Sequence, residues 1–404
     1  MKIGRTTRIV LSNVTIVVLI FSLFEIYLRS THFLGAGISW SYPDPKIGWR
    51  LRPNHNYWIN SNENDHPIEG RTNNFSWNDK NWRLEKKQGT YRIAILGDSY
   101  VEALQVERSH HFVTLAQSEL NDEEAPPGIQ YELMNFGRSG FTQTEELWVL
   151  ENEVFKFDPD LVILFFYPPN DIMDVHQDTA GEPLRPFPIF EQDGSLRLDT
   201  SFNQSSAYKI KSFLAPIKNN SALISTIVKK IRVYRATRSL KQIDPDQRRI
   251  TSYLSLATMT PDEEYARNYR INKKLIEAMR DICADKEVEF LLVSIDTPDY
   301  RNEVADLLRE IDQSFRRDFY ALDLAEFSLG SGMSYLDLQS VFRAHYEEKG
   351  TDLHFSPSGG WLAGPIPMGF GHEGHWNYTG HQVVAGALVS KIQYGMMEEQ
   401  LGPP

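Results

Sequence analysis

Residues 91–106 read YRIAILGDSYVEALQV: an unbroken apolar run, a Gly-Asp-Ser, then small and apolar residues of helical character. A short apolar run bounded by turn residues fits a strand buried on both faces of a parallel sheet, so Tyr91–Leu96 is expected to be one. Ser99 falls just past its carboxyl end. Gly97 permits a tight turn there, and a helix over Val101–Leu120 would offer its first backbone N–H groups beside the hydroxyl. Aspartate and serine are also good helix caps, so on this tripeptide alone a capping role for Ser99 is at least as well supported.

The same grammar repeats outward from this point. Tyr131–Asn135 and Leu161–Tyr167 are again short apolar runs. Pro261–Lys286 has helical spacing and an acidic first turn, leading into the strand Val288–Ile295, and Tyr335–Leu338 supplies one more strand. Alternating strands and helices, interrupted by one long insertion, argue for a doubly wound three-layer α/β/α domain. In such sheets ligands sit beyond the carboxyl ends of the strands.

Three further segments fall at that end. The second strand runs into NFGRSGFT, where Gly140 would let a backbone N–H approach a ligand unobstructed; an ordinary turn glycine is the plain alternative. The third ends in FFYPPND, which places Asn170 beside the same crevice, although Pro-Pro-Asn-Asp is also common turn chemistry. The last element opens with GHEGHWNYTGHQVVAGALVSKI, which brings His375 just ahead of a closing helix. A neutral imidazole there could take the proton from Ser99, since a serine hydroxyl is a weak nucleophile until a base accepts its proton.

Taken together, residues 89–395 resemble the SGNH, or GDSL-like, hydrolases, and the preamble DPKIGWRLRPN resembles membrane-anchored bacterial members. The resemblance implies a flavodoxin-like parallel sheet and an acyl-serine mechanism without a cofactor. Ser99 in GDS would be the nucleophile and His375 in GHWNYTGH the base. Gly140 and Asn170 would form the oxyanion hole with the N–H of Ser99, with Gly137 as a fallback for the glycine. The family places an aspartate three residues before the histidine, where this chain has His372. Glu373, two residues before, matches a variant spelling and would orient His375 as the triad acid; a backbone carbonyl is the alternative. A second Asp-x-His, Asp352 and His354 in TDLHFSPSG, resembles the histidine motif of acetyltransferase relatives and is the alternative base and acid.

A metal reading is disfavoured. HEGH has one residue between Glu373 and His375, whereas the zinc-protease helix needs two. His372, His375 and His381 could approach one another, but loop histidines near a base more often stand beside it without ligating. The nucleophile-elbow pattern GxSxG is absent around Ser99.

Composition bounds the partners. The 404 residues are 41% hydrophobic with a formal charge of −12, and no basic run of nucleic-acid type occurs, so nucleic acid is not an expected partner. The single cysteine, Cys283, excludes an internal disulfide.

The N-terminus carries Lys2, Arg5 and Arg8 in residues 1–8, and Ile9–Leu28 (IVLSNVTIVVLIFSLFEIYL) has the length of about 20 residues that spans a bilayer. Its one charge, Glu25, lies near the far end. Leading positive residues favour the N-terminus inside and the remainder in the periplasm or exterior. A signal peptide has a shorter apolar core, and no small-residue cleavage site follows.

The expected organisation is an anchor at 9–28, a Pro/Trp-rich preamble with short strands at 29–88, the main domain at 89–395 with a cap insertion at 171–260, and a tail at 396–404. A basic amphipathic helix in the insertion could instead rest on a membrane surface. Three functions fit: an ester hydrolase acting on acylated carbohydrate or lipid, an O-acyltransferase modifying an exported polysaccharide, or a non-catalytic glycan-binding or assembly protein on the same fold.

Overall fold

The computed structural model describes residues 4–31, 41–59, 66–122, 128–240, 256–355 and 374–401. Helix α1 (Arg5–Thr31) comes first, followed by two antiparallel ribbons, β1 (Ser41–Asp44) with β2 (Gly48–Leu51) and β3 (Asn56–Ile59) with β4 (Ile68–Arg71). Next come β5 (Thr90–Gly97), α2 (Ser99–Glu102), α3 (Phe112–Leu120), β6 (Gln130–Gly137), α4 (Gln143–Asn152), β7 (Leu161–Phe166) and α5 (Pro168–Asp174). The insertion contributes a hairpin, β8 (Phe187–Phe190) with β9 (Leu196–Asp199), then α6 (Ser206–Asn220) and α7 (Ala222–Leu240). The chain closes with α8 (Glu263–Ala284), β10 (Glu289–Ser294), α9 (Asn302–Ile311), α10 (Phe319–Gly330), β11 (Ser334–Asp337), α11 (Leu338–Lys349) and α12 (Tyr378–Leu401).

The main sheet is five-stranded and all parallel, in the order β11-β10-β7-β5-β6. Counted along the chain this is the doubly wound order 2-1-3-4-5, whose switch point lies between the first and third strands, beside Ser99. Alternate residues of β5 go to opposite cores. Ala94 and Leu96 join the side packed by α4, α8 and α10, while Ile93 and Ile95 join the side packed by α3, α11 and α12. Burial on both faces explains why these strands read as continuous apolar runs rather than alternating ones.

Two helices depart from expectation. The helix over Val101–Leu120 is broken, because Ala103 takes a left-handed conformation (φ 45°) that stops α2 after one turn. The His111 side chain then caps a fresh start, its Nδ1 accepting from the Val113 N–H at 3.1 Å. The long helical stretch of the insertion is likewise two helices, divided at the extended Ser221.

The preamble is structural. Trp77 and Trp82 are buried against Phe136, and the same segment covers the open edge of β6: Asp79 accepts from the Asn135 N–H at 3.0 Å, and Asn78 O from the Asn135 amide at 3.3 Å. An unpaired strand N–H is thereby satisfied by a side chain rather than left for another chain.

Among the described residues, α1 alone is long and apolar enough to cross a membrane, over Arg5–Ser30. Its apolar side chains are exposed on all sides, from Ile9 through Ile26, and only Leu28 is buried. The carboxylate of Glu25 accepts from the N–H groups of Ala222 and Leu223 at 2.7 and 2.9 Å, so the end of α1 caps the start of α7.

Candidate active site

The nucleophile candidate owes its position to a division of labour within Gly-Asp-Ser. Asp98, not Ser99, is the helix cap: its Oδ1 accepts from the Tyr100 N–H at 2.9 Å. Ser99 is then the first residue of α2, with an N–H that has no intrahelical acceptor and a half-buried side chain free of capping duty. Gly97 lacks a side chain because a Cβ there would meet Val101 at 2.4 Å. The turn from β5 into α2 therefore presents the hydroxyl.

His375 meets it. The imidazole Nε2 lies 2.8 Å from Ser99 Oγ, across 276 residues of sequence. Tyr100 packs beside the imidazole, ring centroids 4.9 Å apart, and itself rests on Tyr167 and Trp376. The histidine segment is held by its neighbours. Phe355 N donates to His375 O at 2.9 Å, and Asn377 N to Leu353 O at 2.9 Å. Gly374 and Gly380 allow this approach, since a Cβ on either would lie within 2.4 Å of a carbonyl oxygen of that partner segment.

Gly140 has φ +75° and open space where a side chain would be, as the positive-φ turn after β6 requires. Its carbonyl accepts from Arg185 at 2.9 Å, and Arg185 also pairs with Glu145 through two 2.7 Å bonds. From the other side, buried Glu102 accepts from the Ser139 N–H at 2.8 Å and from the Ser139 hydroxyl. Gly137 plays another part. Its N–H donates to Asn135 Oδ1 at 2.8 Å, and it is small because a Cβ would strike the α2 backbone.

Asn170 sits beside the nucleophile turn. Its amide donates to Asp98 Oδ2 at 2.8 Å, leaving the second amide hydrogen for a ligand, and its buried Oδ1 has no hydrogen-bond partner. Burial raises the Asp98 carboxyl above its ordinary range, against the opposing pull of the Tyr100 N–H, Asn170 and His375. Asp171 and Glu146 lie beneath and are pushed well above their ordinary range, chiefly by burial and then by Asp98 for Asp171 and by Asp171 for Glu146.

The rival histidine points elsewhere. His354 Nε2 is 3.2 Å from Asp296 Oδ2, and its Nδ1 is 3.4 Å from the Tyr300 hydroxyl. Asp352 accepts from that hydroxyl at 3.2 Å and faces Arg301 at 3.6 Å. His381 is buried in the core, its Nδ1 accepting from the Phe112 N–H at 3.3 Å. Glu373 and His372 lie outside the described residues.

Sequence reasoning missed Tyr100, Trp376 with Asp296, Glu102 and Arg185. Trp376, fully buried, donates from Nε1 to Asp296 Oδ1 at 2.9 Å and fixes the residue next to His375. Its position beside the histidine was the available signal. Nothing local marks Glu102 or Arg185, whose partners lie 37 and 40 residues distant.

No family model and no curated protein matches the chain. Solved structures overlap it at low similarity. An acetyl xylan esterase, AlAXEase, is 15% identical over 74% of this chain and 99% of its own, with a TM-score of 0.38. The enzyme LAE5, from the metagenome of Lake Arreo, is 16% identical over 75% and 95%, also at 0.38. A catalytic variant of the acetylxylan esterase Axe2 of Geobacillus stearothermophilus is 12% identical over 76% and 96%, at 0.37. Overlap at this level decides nothing about chemistry.

Proposed function

We propose that this chain is a serine-dependent ester hydrolase, held at the cytoplasmic membrane by α1 with its N-terminus inside, acting on acylated carbohydrate or lipid in the periplasm or exterior. The observation that carries the reading is the 2.8 Å contact between His375 Nε2 and Ser99 Oγ at the carboxyl edge of a parallel sheet. Ser99 Oγ attacks the ester carbonyl while His375 Nε2 takes its proton. The oxyanion forms against the N–H groups of Ser99 and Gly140 and the second amide hydrogen of Asn170, donors fixed before the reaction begins. Collapse breaks the ester C–O bond and leaves an acyl-serine, and His375 returns the proton to the departing alcohol. Water then attacks with His375 again as base, releasing the acid and restoring Ser99.

The test uses the full chain in lipid nanodiscs with a generic acetyl ester, with and without a glycan acceptor. Turnover that needs no acceptor and disappears in Ser99→Ala and His375→Ala supports hydrolysis. Turnover that appears only with acceptor reassigns the same site to O-acyl transfer. Ester turnover equal in wild type and Ser99→Ala would remove the catalytic reading altogether.

A further inference from the structure

The insertion helices carry two features that the chemistry at Ser99 does not use. The first is a pair of exposed apolar stripes, the one on α7 partly facing α1. On α6, Ile210, Phe213, Leu214 and Ile217 are exposed at spacing i, i+3, i+4, i+7, with Phe213 77% exposed. On α7, Ile224, Ile227, Val228 and Ile231 are exposed at the same spacing. Four apolar residues so spaced lie on one face of a helix. The opposite face of α6 is already used: Tyr208, Ala215 and Asn219 are buried, and Asn219 bonds the carbonyl of Ser41 in the preamble at 2.9 Å.

The second feature is charge. Between residues 206 and 240 there are eight Lys or Arg and no Asp or Glu, in a chain whose formal charge is −12. Basic residues concentrated on apolar-striped helices are the composition of an element that lies in a membrane interface, not of a core helix. Location supplies the occupant. Glu25 and Leu28, at the far end of the membrane-length helix, are seated on the start of α7, and Arg29 reaches the carbonyl of Asn220 at the end of α6 at 2.6 Å. Between α1 and α7 lies an apolar groove of about 420 Å³ lined by Phe24, Leu28, Leu223, Ile227, Ile231 and Tyr234, with Lys230 on its wall. The α6 stripe thus ends, and the α7 stripe begins, beside the far end of α1.

We propose that α6 and α7 form a second membrane contact, lying in the headgroup layer with their apolar stripes in the acyl region and their cations on anionic lipid headgroups. The inference rests on the anchor reading of α1 and is independent of the reaction at Ser99. Its effect is orientation: a single anchor lets the domain swivel, whereas a two-helix contact fixes one face against the bilayer.

Collision accessibility of nitroxide labels tests it on the full chain in nanodiscs. The native Cys283 is buried, with its thiol pushed up to about 12, so introduced cysteines are labelled selectively. Labels go on Phe213→Cys and Ile227→Cys, with Val17→Cys as the anchor control and Glu348→Cys as the aqueous reference. The expected result is that positions 213 and 227 collide with oxygen and are several-fold less accessible to a water-soluble nickel chelate than 348, more so in discs containing phosphatidylglycerol than in phosphatidylcholine alone. Chelate access at 213 and 227 equal to that at 348, with 17 protected, overturns the inference and leaves the anchor standing. Chelate access at 17 overturns both. Protection accompanied by spin–spin broadening means that a second copy covers the stripes and overturns the lipid assignment.

Discussion

His354 stands directly across from Trp376 in an antiparallel bridge, so the two histidine motifs of this chain lie side by side. Successive residues of an extended segment face opposite ways. Trp376 therefore enters the core, where it and His354 share Asp296, while His375 is turned toward Ser99. The two substitutions separate these roles. His375→Ala should lower kcat about 10²–10⁴-fold with the fold intact, the usual weight of a general base. His354→Ala should retain base catalysis but lose about 1–3 kcal/mol of stability, because the buried Asp296 gives up a partner. Urea midpoints measured beside kcat distinguish them; loss of kcat in His354→Ala with its midpoint unchanged, and kcat retained in His375→Ala, would reverse the assignment.

Asn170→Ala should lower kcat about 10²–10³-fold, the cost of one oxyanion donor, with little change in KM. The variant also leaves Asp98 Oδ2 without the amide that now bonds it at 2.8 Å. Asn170→Asp keeps the shape but sets a second carboxyl beside Asp98. Its activity should be lower than that of the alanine variant at neutral pH and recover on acidification, and steady-state kinetics across pH check that order.

Much of this fold is legible because the sheet is buried on both faces. Uninterrupted runs such as Ile93–Leu96 and Leu161–Phe166 have little other use in a domain of this size. Of the proposed site residues, Ser99, Gly140, Asn170 and His375 stand out because each follows a strand or precedes or opens a helix, where a side chain has a reason to be presented. What was not legible depends on contacts between distant segments. The stop of α2 at Ala103 opposes the local propensity for a longer helix. The grip of Glu102 on Ser139, and of Arg185 on the carbonyl of Gly140, leaves no periodic trace.

That grip yields a prediction for residues that do not touch the reacting atoms. Glu102→Ala releases the Ser139 N–H and hydroxyl and frees the peptide carrying the Gly140 N–H. A displacement of about 1 Å in a catalytic group can cost about 10²-fold, so kcat should fall by up to that amount while KM holds. Glu102→Gln retains an acceptor for the Ser139 N–H and should recover part of the loss. A structural role alone would show as a lowered melting temperature in both variants with kcat unchanged below it.

Glu146 sets a pH dependence of stability. It is fully buried, its Oε1 has no partner, and Asp171, Asp98 and Glu145 are the acidic groups around it. Burial first, and then those carboxylates, raise it well above its ordinary value of 4.5, so the folded chain keeps a proton that the unfolded chain releases. The stabilisation from that proton is complete below about pH 4.5 and declines as pH rises toward the folded value, at up to about 1.4 kcal/mol per pH unit for each proton of difference. Glu146→Gln preserves the shape and removes the titration. Urea midpoints should therefore fall less steeply in the variant as pH rises above about 4.5, with Asp171 contributing to the slope that remains. Parallel pH profiles for the two chains would mean that Glu146 keeps no proton in the folded chain that the unfolded chain releases.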